Sequence, residues 1–564
     1  MLSSDKILVQ LIVDQCEAYG IKKIVFSPGS RNAPFAISFD ENPFFDTYVI
    51  HDERVAAFFA LGLSQELNEP VAICCTSGSA ALNYYPAIAE AFYRCVPILV
   101  ITADRPASWV NQGDGQTIVQ NELFKSHIRY SISFDDTTIS DDAIWRAQLN
   151  TNEGMSFLYG KWKGPVHFNV GLSEPLYNTV EKSKNFSRLI QNKLTDNEIN
   201  SDFLKKAFQQ LSESKIMVLC GQLAKNDELN LELEKFAKNS NVIVLVENTS
   251  NLFNESFIAC IDRTLNGIPL NEEEKYHPNV LISLGGAVVS KKIKSFLRKA
   301  KPKMHWKIGY EFPWMDTYQC LSDSIELEPE KFFKQINEID YDRNKQNYFG
   351  LWKTIDYLAK DSISACMQKI DNLTDLVVFD SIFQTLPENC VLHMANSSVV
   401  RYCQLFDPIH NVRYESNRGT SGIDGSTSTA VGAAMANPNQ HHVLISGDIS
   451  FLYDSNALWI SDFPKNLKII VVNNQGGGIF KIIPGPAGSN QGKKYFESAH
   501  TQQAEPIAKA FGLTCKTIVE KSDLFGTLVD FFDPNNITQL IEIHTDSDQN
   551  PKDLDYFFKF INGA

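Results

Sequence analysis

Hydrophobic residues along this chain occur in short continuous apolar runs separated by longer amphipathic stretches of helical period. Such runs are typical of buried parallel strands, and such stretches of the helices that connect them. In the N-terminal third the runs are residues 24–26, 48–50, 71–75, 98–102 and 166–170. The pattern therefore predicts a parallel α/β sheet with helices between its strands.

Two further regions show the same alternation of apolar runs and amphipathic stretches. A polar segment at 178–192 predicts a linker, and a second one near 341–348 predicts the end of a central domain. The predicted strands beyond the first linker are 215–220, 242–246, 280–284, 304–308, 390–393, 443–445, 467–472 and 538–543. With 564 residues the chain is long enough for three cores. We therefore expect three doubly wound parallel-sheet α/β domains, at 1–180, 181–348 and 349–564.

The region 443–480 concentrates chemistry between two predicted strands. Asp448 and Asn474 each follow the carboxyl end of a strand, and residues 452–460 predict the helix between them. Open α/β sheets bind ligands at this edge, and carboxylate and amide oxygens suit Mg²⁺, with Mn²⁺ as an alternative. Glycines such as Gly447 and Gly476 allow the backbone to approach a ligand closely. The sequence predicts a site for a metal ion and a diphosphate.

A second candidate site lies in the N-terminal domain. Glu53 follows the predicted strand 48–50 at the start of an alanine-rich helix, where an acid is often only a favourable dipole partner. Ser77 and Gly78 follow strand 71–75 and begin another helix, an arrangement that binds anions through backbone N–H groups. The two features together favour a ligand site over a simple helix start.

Charge and cysteine content narrow the class of protein. Lys plus Arg total 52 and Asp plus Glu total 67, so the net charge of −15 argues against a nucleic-acid partner. Eleven cysteines without a CxxC pair favour reduced thiols and a cytoplasmic location. The N-terminus lacks a basic signal region, and no run of about 18 apolar residues predicts a membrane span.

Four arginines occupy strand ends or glycine-rich loops of this acidic chain. One arginine alone is most often a solvated surface residue, but four in such places favour multiply anionic substrates, since Arg binds carboxylates bidentately. These arginines, the serine before Arg31 and the serine four residues before Arg401 are Ser30, Arg31, Arg105, Ser397, Arg401 and Arg418.

The acid after the second strand, the TSG turn at 76–78 and the GD and NN pairs at 447–448 and 473–474 resemble thiamine diphosphate enzymes of the pyruvate-oxidase and decarboxylase type. The resemblance implies that Glu53 hydrogen-bonds the aminopyrimidine ring of cofactor held by a partner chain, and hence a dimer or tetramer. It also implies that Asp448, Asn474 and the Gly476 carbonyl hold Mg²⁺. The other implied cofactor residues are Ser77, Gly78, Ile423, Gly447, Ile449, Ser450, Gly477, Ile479 and Phe480.

Longer motifs indicate which family within this superfamily the chain resembles. GDI replaces the usual GDG, and the segments SPGSRNAP, ADRP, GQTIVQ, NSSVVR and SNRGTSGIDG closely resemble the menaquinone-pathway synthases of this superfamily. That family joins 2-oxoglutarate to isochorismate with loss of CO₂, and both substrates are dicarboxylates. The match adds Gln116 and Lys291 to the substrate residues. Because Lys292 lies beside Lys291, the sequence leaves open which of the two lysines matches the lysine of the family.

Two alternatives remain at this stage. Another thiamine diphosphate-dependent 2-oxoacid decarboxylase or an acetolactate-type synthase would need a smaller, less cationic donor pocket. A non-catalytic protein that retains the cofactor fold is disfavoured by the presence of Glu53, Asp448 and Asn474.

Overall fold

The computed structural model describes residues 2–137, 139–182, 185–190, 198–199, 203, 211–212, 214–338, 347–483 and 489–563. Residues 183–184 and 191–192 of the first predicted linker lie outside the described residues, as do residues 341–346 of the second.

The N-terminal sheet contains six parallel strands in the order β3-β2-β4-β5-β7-β6. A short antiparallel pair, β1 with β8, lies outside it. The order reverses between β2 and β4, and open α/β sheets bind ligands in the crevice at such a point of the carboxyl edge. The strands are β1 Leu2–Ser4, β2 Lys23–Phe26, β3 Asp46–Val49, β4 Val71–Cys75, β5 Ile98–Asp104, β6 Tyr130–Asp135, β7 Val166–Gly171 and β8 Thr179–Glu181.

Helices cover this sheet with their apolar residues. The middle strands β4, β5 and β7 are buried at every position, as expected of parallel strands covered on both faces. The helices are Ile7–Ala18, Ala33–Asp40, Glu53–Leu67, Ser79–Asn83, Tyr85–Tyr93 and Asp141–Tyr159.

The central sheet has five parallel strands in the order β10-β9-β11-β12-β13. At its reversal point the loops after β9 and β11 touch each other, because the Gly286 N–H donates to Gln222 O at 2.9 Å. The strands are β9 Ile216–Cys220, β10 Val242–Val246, β11 Val280–Leu284, β12 Met304–Ile308 and β13 Asp323–Ile325. The helices are Asp227–Ala237, Ile261–Asn266, Lys291–Ala300, Pro329–Asn337 and Tyr348–Met367.

The C-terminal sheet follows the order β15-β14-β16-β17-β19-β18, which is the same winding as in the N-terminal sheet. β14 pairs in parallel with β15 and β16, and β19 pairs in parallel with β17 and β18. The strands are β14 Cys390–Met394, β15 Arg413–Glu415, β16 His441–Gly447, β17 Leu467–Asn473, β18 Cys515–Ile518 and β19 Leu540–His544. The helices are Asp375–Thr385, Ser398–Cys403, Ser426–Ala436, Asp448–Tyr453, Ile479–Ile482, Ala504–Ala510, Lys521–Phe531 and Asn550–Ile561.

The chain divides into two compact units. One comprises residues 1–195, 417–440 and 453–467, and the other residues 196–416, 441–452 and 468–564, with the central and C-terminal sheets. In the first unit the helix Ser426–Ala436 packs closely on Glu53–Leu67. A Cβ atom at Gly62 would lie 2.0 Å from Thr429 O, and one at Gly432 would lie 2.1 Å from Phe59 O. Only glycine permits this approach of the two backbones.

The predicted α/β class is confirmed, and every predicted strand overlaps an observed one. The strands that the apolar pattern missed are β1, β6, β8, β13, β15 and β18. The helix expected at 452–460 is wrong: an α-helix runs earlier, over Asp448–Tyr453, and a 3-10 turn follows at Ser455–Leu458. Among the described residues, no helix is both long and apolar enough to cross a bilayer.

Buried histidine makes the stability of this fold depend on pH. His167 in β7 is fully buried between Thr102 Oγ1 at 2.8 Å and Ser131 Oγ at 3.2 Å, and burial lowers its pKa from 6.5 to about 3. Between those values the unfolded chain binds a proton that the folded chain does not. The free energy of unfolding therefore falls as the pH drops below about 6.5.

Between pH 7.5 and pH 5.5 the buried His167 should lower the free energy of unfolding of the wild type by about 1.4 kcal/mol, because pH 5.5 is one unit below the unfolded pKa. We expect His167→Gln to lack this decrease. Urea unfolding at the two pH values measures this difference. His410→Gln changes an exposed histidine and provides the control. Identical pH dependence in His167→Gln and the wild type would contradict the assignment.

Candidate active site

The predicted metal and diphosphate residues meet at the carboxyl edge of the C-terminal sheet. Asp448 begins the helix after β16, and its Oδ1 accepts the Ile449 N–H at 2.7 Å. Its Oδ2 accepts the N–H of Gly476, in the loop after β17, at 2.9 Å. Asp448 therefore joins the loops of two neighbouring strands.

Asn474 presents an unused acceptor in the same place. Its Nδ2 donates to Asp375 Oδ2 at 3.0 Å, and its buried Oδ1 has no partner among the described residues. A buried carbonyl oxygen without a donor costs about 1–3 kcal/mol. The oxygen therefore fits the role of a ligand to a cation, and the residues present agree with the predicted metal site.

Asp375 orients that amide and was not found from the sequence. It is buried, accepts the Thr545 Oγ1–H at 2.6 Å, and receives its Asn474 contact from a residue 99 positions away. Burial raises the pKa of its carboxyl group. The contact fixes the orientation of the Asn474 amide. Its nitrogen faces Asp375, and its oxygen is left for a ligand.

His500 is the second residue that the sequence did not reveal here. Its Nε2 lies 3.3 Å from Asp448 Oδ2. Burial raises the pKa of Asp448 to about 6, while the hydrogen bonds from Ile449 and Gly476 and the His500 charge oppose this rise. A divalent cation beside this carboxylate would favour its charged form.

Glycines bring the backbone into this site. Gly476 has φ +154°, and a Cβ atom there would lie 2.6 Å from Glu497 O. A Cβ atom at Gly478 would lie 2.8 Å from Asn474 Nδ2. The remaining predicted cofactor residues of this unit flank the same loops. Gly447 ends β16, Ile449 and Ser450 lie in the helix after it, and Gly477, Ile479 and Phe480 follow β17.

The turn at Ser77 and Gly78 differs from the expectation in one respect. Gly78 has φ +83° and precedes the short helix Ser79–Asn83, as predicted. Its N–H, however, donates to Gln120 Oε1 at 2.8 Å and is therefore engaged within the protein. Gln120 is buried and also donates to Asn169 Oδ1 at 3.0 Å. Gln120 therefore fixes the backbone of this turn.

Several predicted substrate residues meet at the carboxyl edge of the N-terminal sheet. The loop containing the exposed Ser30 packs on the turn after β4, where the Arg31 N–H donates to Thr76 Oγ1 at 3.3 Å. The buried Arg31 side chain donates to Leu172 O at 3.0 Å and pairs with Glu174 at 3.1 Å. Arg31 is thus held in place at the crevice beside β2.

Arg105 and Gln116 lie on the neighbouring loops. Arg105 Nη1 pairs with Asp114 at 2.7 Å, and its Nε donates to Gly115 O at 3.1 Å. Gln116 has φ +55°, a left-handed conformation that costs a non-glycine residue of the order of 1 kcal/mol. A Cβ atom at Gly78 would lie 3.1 Å from Gln116 Cα. The structure therefore places Gln116 beside the predicted cofactor turn.

Glu53 is the first residue of its helix, and its neighbours anchor that helix end. Asp52 caps the helix and accepts the Asn456 Nδ2–H at 2.8 Å. Arg54 donates to Tyr453 O at 2.7 Å. Within the described part of the chain, the Glu53 carboxylate has no ion pair. The backbone at Glu53 is thus anchored by the residues on either side of it, and its carboxylate remains available to a ligand.

Ser397 and Arg401 lie after β14, at the reversal point of the C-terminal sheet. Ser397 has φ +70°, another strained position. Arg401 Nη1 donates to Val289 O at 3.4 Å, and its Nε is buried without a partner among the described residues. Burial lowers the pKa of Arg401, while the charges of Asp262 and Glu247 oppose this. A half-buried guanidinium with an unused N–H fits an anionic ligand.

Lys291 and Lys292 begin the helix Lys291–Ala300 and differ in their contacts. Lys292 Nζ donates to Asn266 Oδ1 at 3.2 Å and lies 3.6 Å from the centre of the Phe558 ring. Lys291 is exposed. Lys292 is therefore engaged within the protein, which favours Lys291 as the residue available to a ligand.

The last two predicted residues lie in the loop 416–425 after β15, which belongs to the first compact unit from residue 417 onward. Arg418 is buried and Ile423 is 37% exposed. The loop ends at Gly425, whose φ of +76° and position over the Phe58 ring exclude a side chain. The predicted residues thus follow strands of the N-terminal and C-terminal sheets, apart from Lys291, which begins the helix after β11.

Comparison with known protein families identifies the class to which the chain belongs. The chain matches the thiamine pyrophosphate enzyme N-terminal TPP binding domain over residues 7–126 and the C-terminal TPP binding domain over residues 397–543. Between them, residues 181–394 match the middle domain of thiamine pyrophosphate. The chain is therefore an enzyme of the thiamine diphosphate-dependent class.

Curated relatives specify the family within that class. A 2-succinyl-5-enolpyruvyl-6-hydroxy-3-cyclohexene-1-carboxylate synthase of Flavobacterium johnsoniae is 42% identical over 559 residues, covering 98% of each chain. Synthases of the same name from Porphyromonas gingivalis and Bacteroides fragilis are 37% and 34% identical and cover at least 98% of each chain. The chain belongs to the family of 2-succinyl-5-enolpyruvyl-6-hydroxy-3-cyclohexene-1-carboxylate synthases.

The Asp375 contact leads to a prediction about cofactor affinity. In Asp375→Asn an amide that both donates and accepts faces Asn474, which loses the fixed orientation of its oxygen. We expect thiamine diphosphate to bind on the order of 10-fold more weakly, the usual effect of removing an outer partner of a ligating side chain. Fluorescence titration of the cofactor-free protein measures this.

Asp380→Asn is the matched control. Asp380 lies in the same helix and accepts from Gln384 Nε2 at 2.7 Å. Equal cofactor affinity in Asp375→Asn and Asp380→Asn would show that Asp375 does not orient the site.

Proposed function

We propose that this protein decarboxylates 2-oxoglutarate and adds the resulting succinyl unit to isochorismate, giving 2-succinyl-5-enolpyruvyl-6-hydroxy-3-cyclohexene-1-carboxylate and CO₂ in menaquinone biosynthesis. One observation carries the proposal: relatives of that name align over nearly the whole chain. The arginines of both sheets agree with it, because each substrate has two carboxylates.

The proposed cofactors are thiamine diphosphate and Mg²⁺, which Mn²⁺ could replace. Asp448 and the unpartnered Oδ1 of Asn474 would hold the ion together with the Gly476 carbonyl, a donor set of hard oxygens. Gly447, Gly477 and their neighbours would surround the diphosphate. Bound thiamine diphosphate supplies the electron-accepting group that decarboxylation of a 2-oxoacid needs.

Glu53 is the proposed catalytic acid. The anchored helix end holds its carboxyl group in a fixed place, and that group would hydrogen-bond the cofactor's aminopyrimidine ring and exchange a proton with it. Ile423, Ile479 and Phe480 would exclude water from the thiazolium side.

The substrate residues divide between the two compact units. We assign 2-oxoglutarate to Arg401 with Ser397, and isochorismate to Arg31 and Arg105. The half-buried Arg401, whose Nε has no partner among the described residues, supports the first assignment. The remaining proposed substrate residues are Ser30, Gln116, Lys291 and Arg418.

Organisation and location belong to the same proposal. The domains would be pyrimidine-binding (1–180), central (181–348) and diphosphate-binding (349–564). Glu53 would serve cofactor held by a second copy, so the active form would be a dimer or tetramer. The protein would act in the cytoplasm on small molecules, without nucleic acid.

The direct test is incubation with thiamine diphosphate, Mg²⁺, 2-oxoglutarate and isochorismate, with the product identified by mass. Pyruvate as the only donor tests the alternative of an acetolactate-type synthase. Use of pyruvate as readily as 2-oxoglutarate would overturn the proposal, because pyruvate lacks the distal carboxylate.

For Glu53→Gln we expect turnover to fall by at least ~100-fold, because an amide can contact the ring but cannot exchange the proton. Cofactor affinity should change little, since the hydrogen-bonding shape is kept. Steady-state kinetics and cofactor titration measure the two effects. Glu69→Gln, beyond the far end of the same helix, is the control. Retention of wild-type turnover in Glu53→Gln would exclude this role.

For Arg401→Ala we expect the KM for 2-oxoglutarate to rise roughly 10- to 100-fold, the value of one charged hydrogen bond to a carboxylate. Arg401→Lys should restore only part of the affinity, because a point charge cannot form the bidentate contact. Each substrate is varied at saturation of the other. An unchanged 2-oxoglutarate dependence in Arg401→Ala would refute the assignment.

A further inference from the structure

The loop 416–425 contains Arg418 and Ile423, and a buried acid from a distant helix holds its middle. Glu90 lies on the helix Tyr85–Tyr93 and is 0% exposed. Its Oε1 accepts the Gly419 N–H at 2.8 Å. Its Oε2 accepts the N–H of Thr420 at 2.6 Å and the Thr420 Oγ1–H at 2.8 Å. One carboxylate therefore receives three hydrogen bonds from two consecutive residues.

The charge and shape of a carboxylate are needed for this contact. Two successive backbone N–H groups that converge on one anion form the concave arrangement by which turns hold anions. A glutamine would offer one acceptor oxygen and would turn an NH₂ group toward one of the donors. One buried N–H would then have no acceptor, which is costly.

Close packing brings Glu90 and the loop together. A Cβ atom at Gly419 would lie 2.7 Å from Glu90 O, so this position requires glycine. At the loop's ends, Asn417 Nδ2 donates to Thr429 Oγ1 at 3.0 Å, and Gly425 packs against the Phe58 ring. Glu90 thus adds a third anchor between two fixed ends, directly beside Arg418.

We propose that Glu90 is a positioning residue that fixes the loop 416–425 and thereby sets the substrate affinity contributed by Arg418. This inference rests on the proposed function, in which Arg418 binds a substrate carboxylate. Glu90 itself contacts backbone and Thr420 and would act only through the loop. Its effect should therefore appear in KM for one substrate rather than in kcat.

The test compares Glu90→Gln, Arg418→Ala and the double variant, with each substrate varied separately. We expect Glu90→Gln to raise, by roughly 10-fold, the KM of the same substrate that Arg418→Ala affects, with kcat and the other KM within about 2-fold. The double variant should resemble Arg418→Ala alone, because the two changes act through one contact. Thr420→Val removes one of the three hydrogen bonds and should show a smaller rise.

Hydrogen–deuterium exchange of the unliganded protein provides a readout independent of turnover. The amides of residues 418–421 should exchange faster in Glu90→Gln and in Thr420→Val than in the wild type. Glu232→Gln is the matched control, because Glu232 is also buried and accepts a hydrogen bond from Asn337 Nδ2 in the second compact unit. It should change neither KM nor the exchange of this loop.

The outcomes separate the two proposals. Unchanged exchange in both Glu90→Gln and Thr420→Val would overturn the positioning role, as would KM effects of Glu90→Gln and Arg418→Ala that multiply. If Glu90→Gln does not fold, Thr420→Val decides by the same criteria. If the wild type does not convert the two substrates, the proposed function fails, and amide exchange still decides whether Glu90 holds the loop.

Discussion

Burial of parallel strands on both faces is the constraint on which this structure depends. Strands such as β4 and β10 are apolar along their whole length, so the polar chemistry that could bind a ligand lies outside such strands. It collects where the strands end, and the two similarly wound sheets each provide a reversal point there. Asp448 and Arg401 occupy that edge in one sheet, and Arg31 and Gly78 occupy it in the other.

Buried polar groups at these edges are fixed in pairs, with one partner from a loop and one from an element distant in sequence. Asp375 orients Asn474, Gln120 holds Gly78, and Glu90 holds the loop of Arg418. Each anchor is buried, so the hydrogen bond is stronger than in water and its loss is costly. A chain with a net charge of −15 can in this way keep cationic and amide groups available for anionic ligands.

The sequence predicted the middle of each sheet and the residues at strand ends, because both produce local patterns. The strands missed within the large sheets, β6, β13, β15 and β18, are all edge strands. An edge strand is covered less completely, and β6 is therefore half exposed with alternating polar residues. Asp375, Gln120 and Glu90 were missed for another reason. Each acts across tens or hundreds of residues, and no local spacing indicates such a contact.

The close contact between the helices Glu53–Leu67 and Ser426–Ala436 has a consequence for the order in which the protein can assemble during synthesis. Gly62 and Gly432 allow the two backbones to touch, although they lie more than half the chain apart. The helix that begins at Glu53 is therefore translated early, but the helix on which it packs is not complete until the ribosome has passed Ala436. Until then the face of this helix that packs on Ser426–Ala436 remains uncovered, so the first domain to emerge is among the last to finish folding.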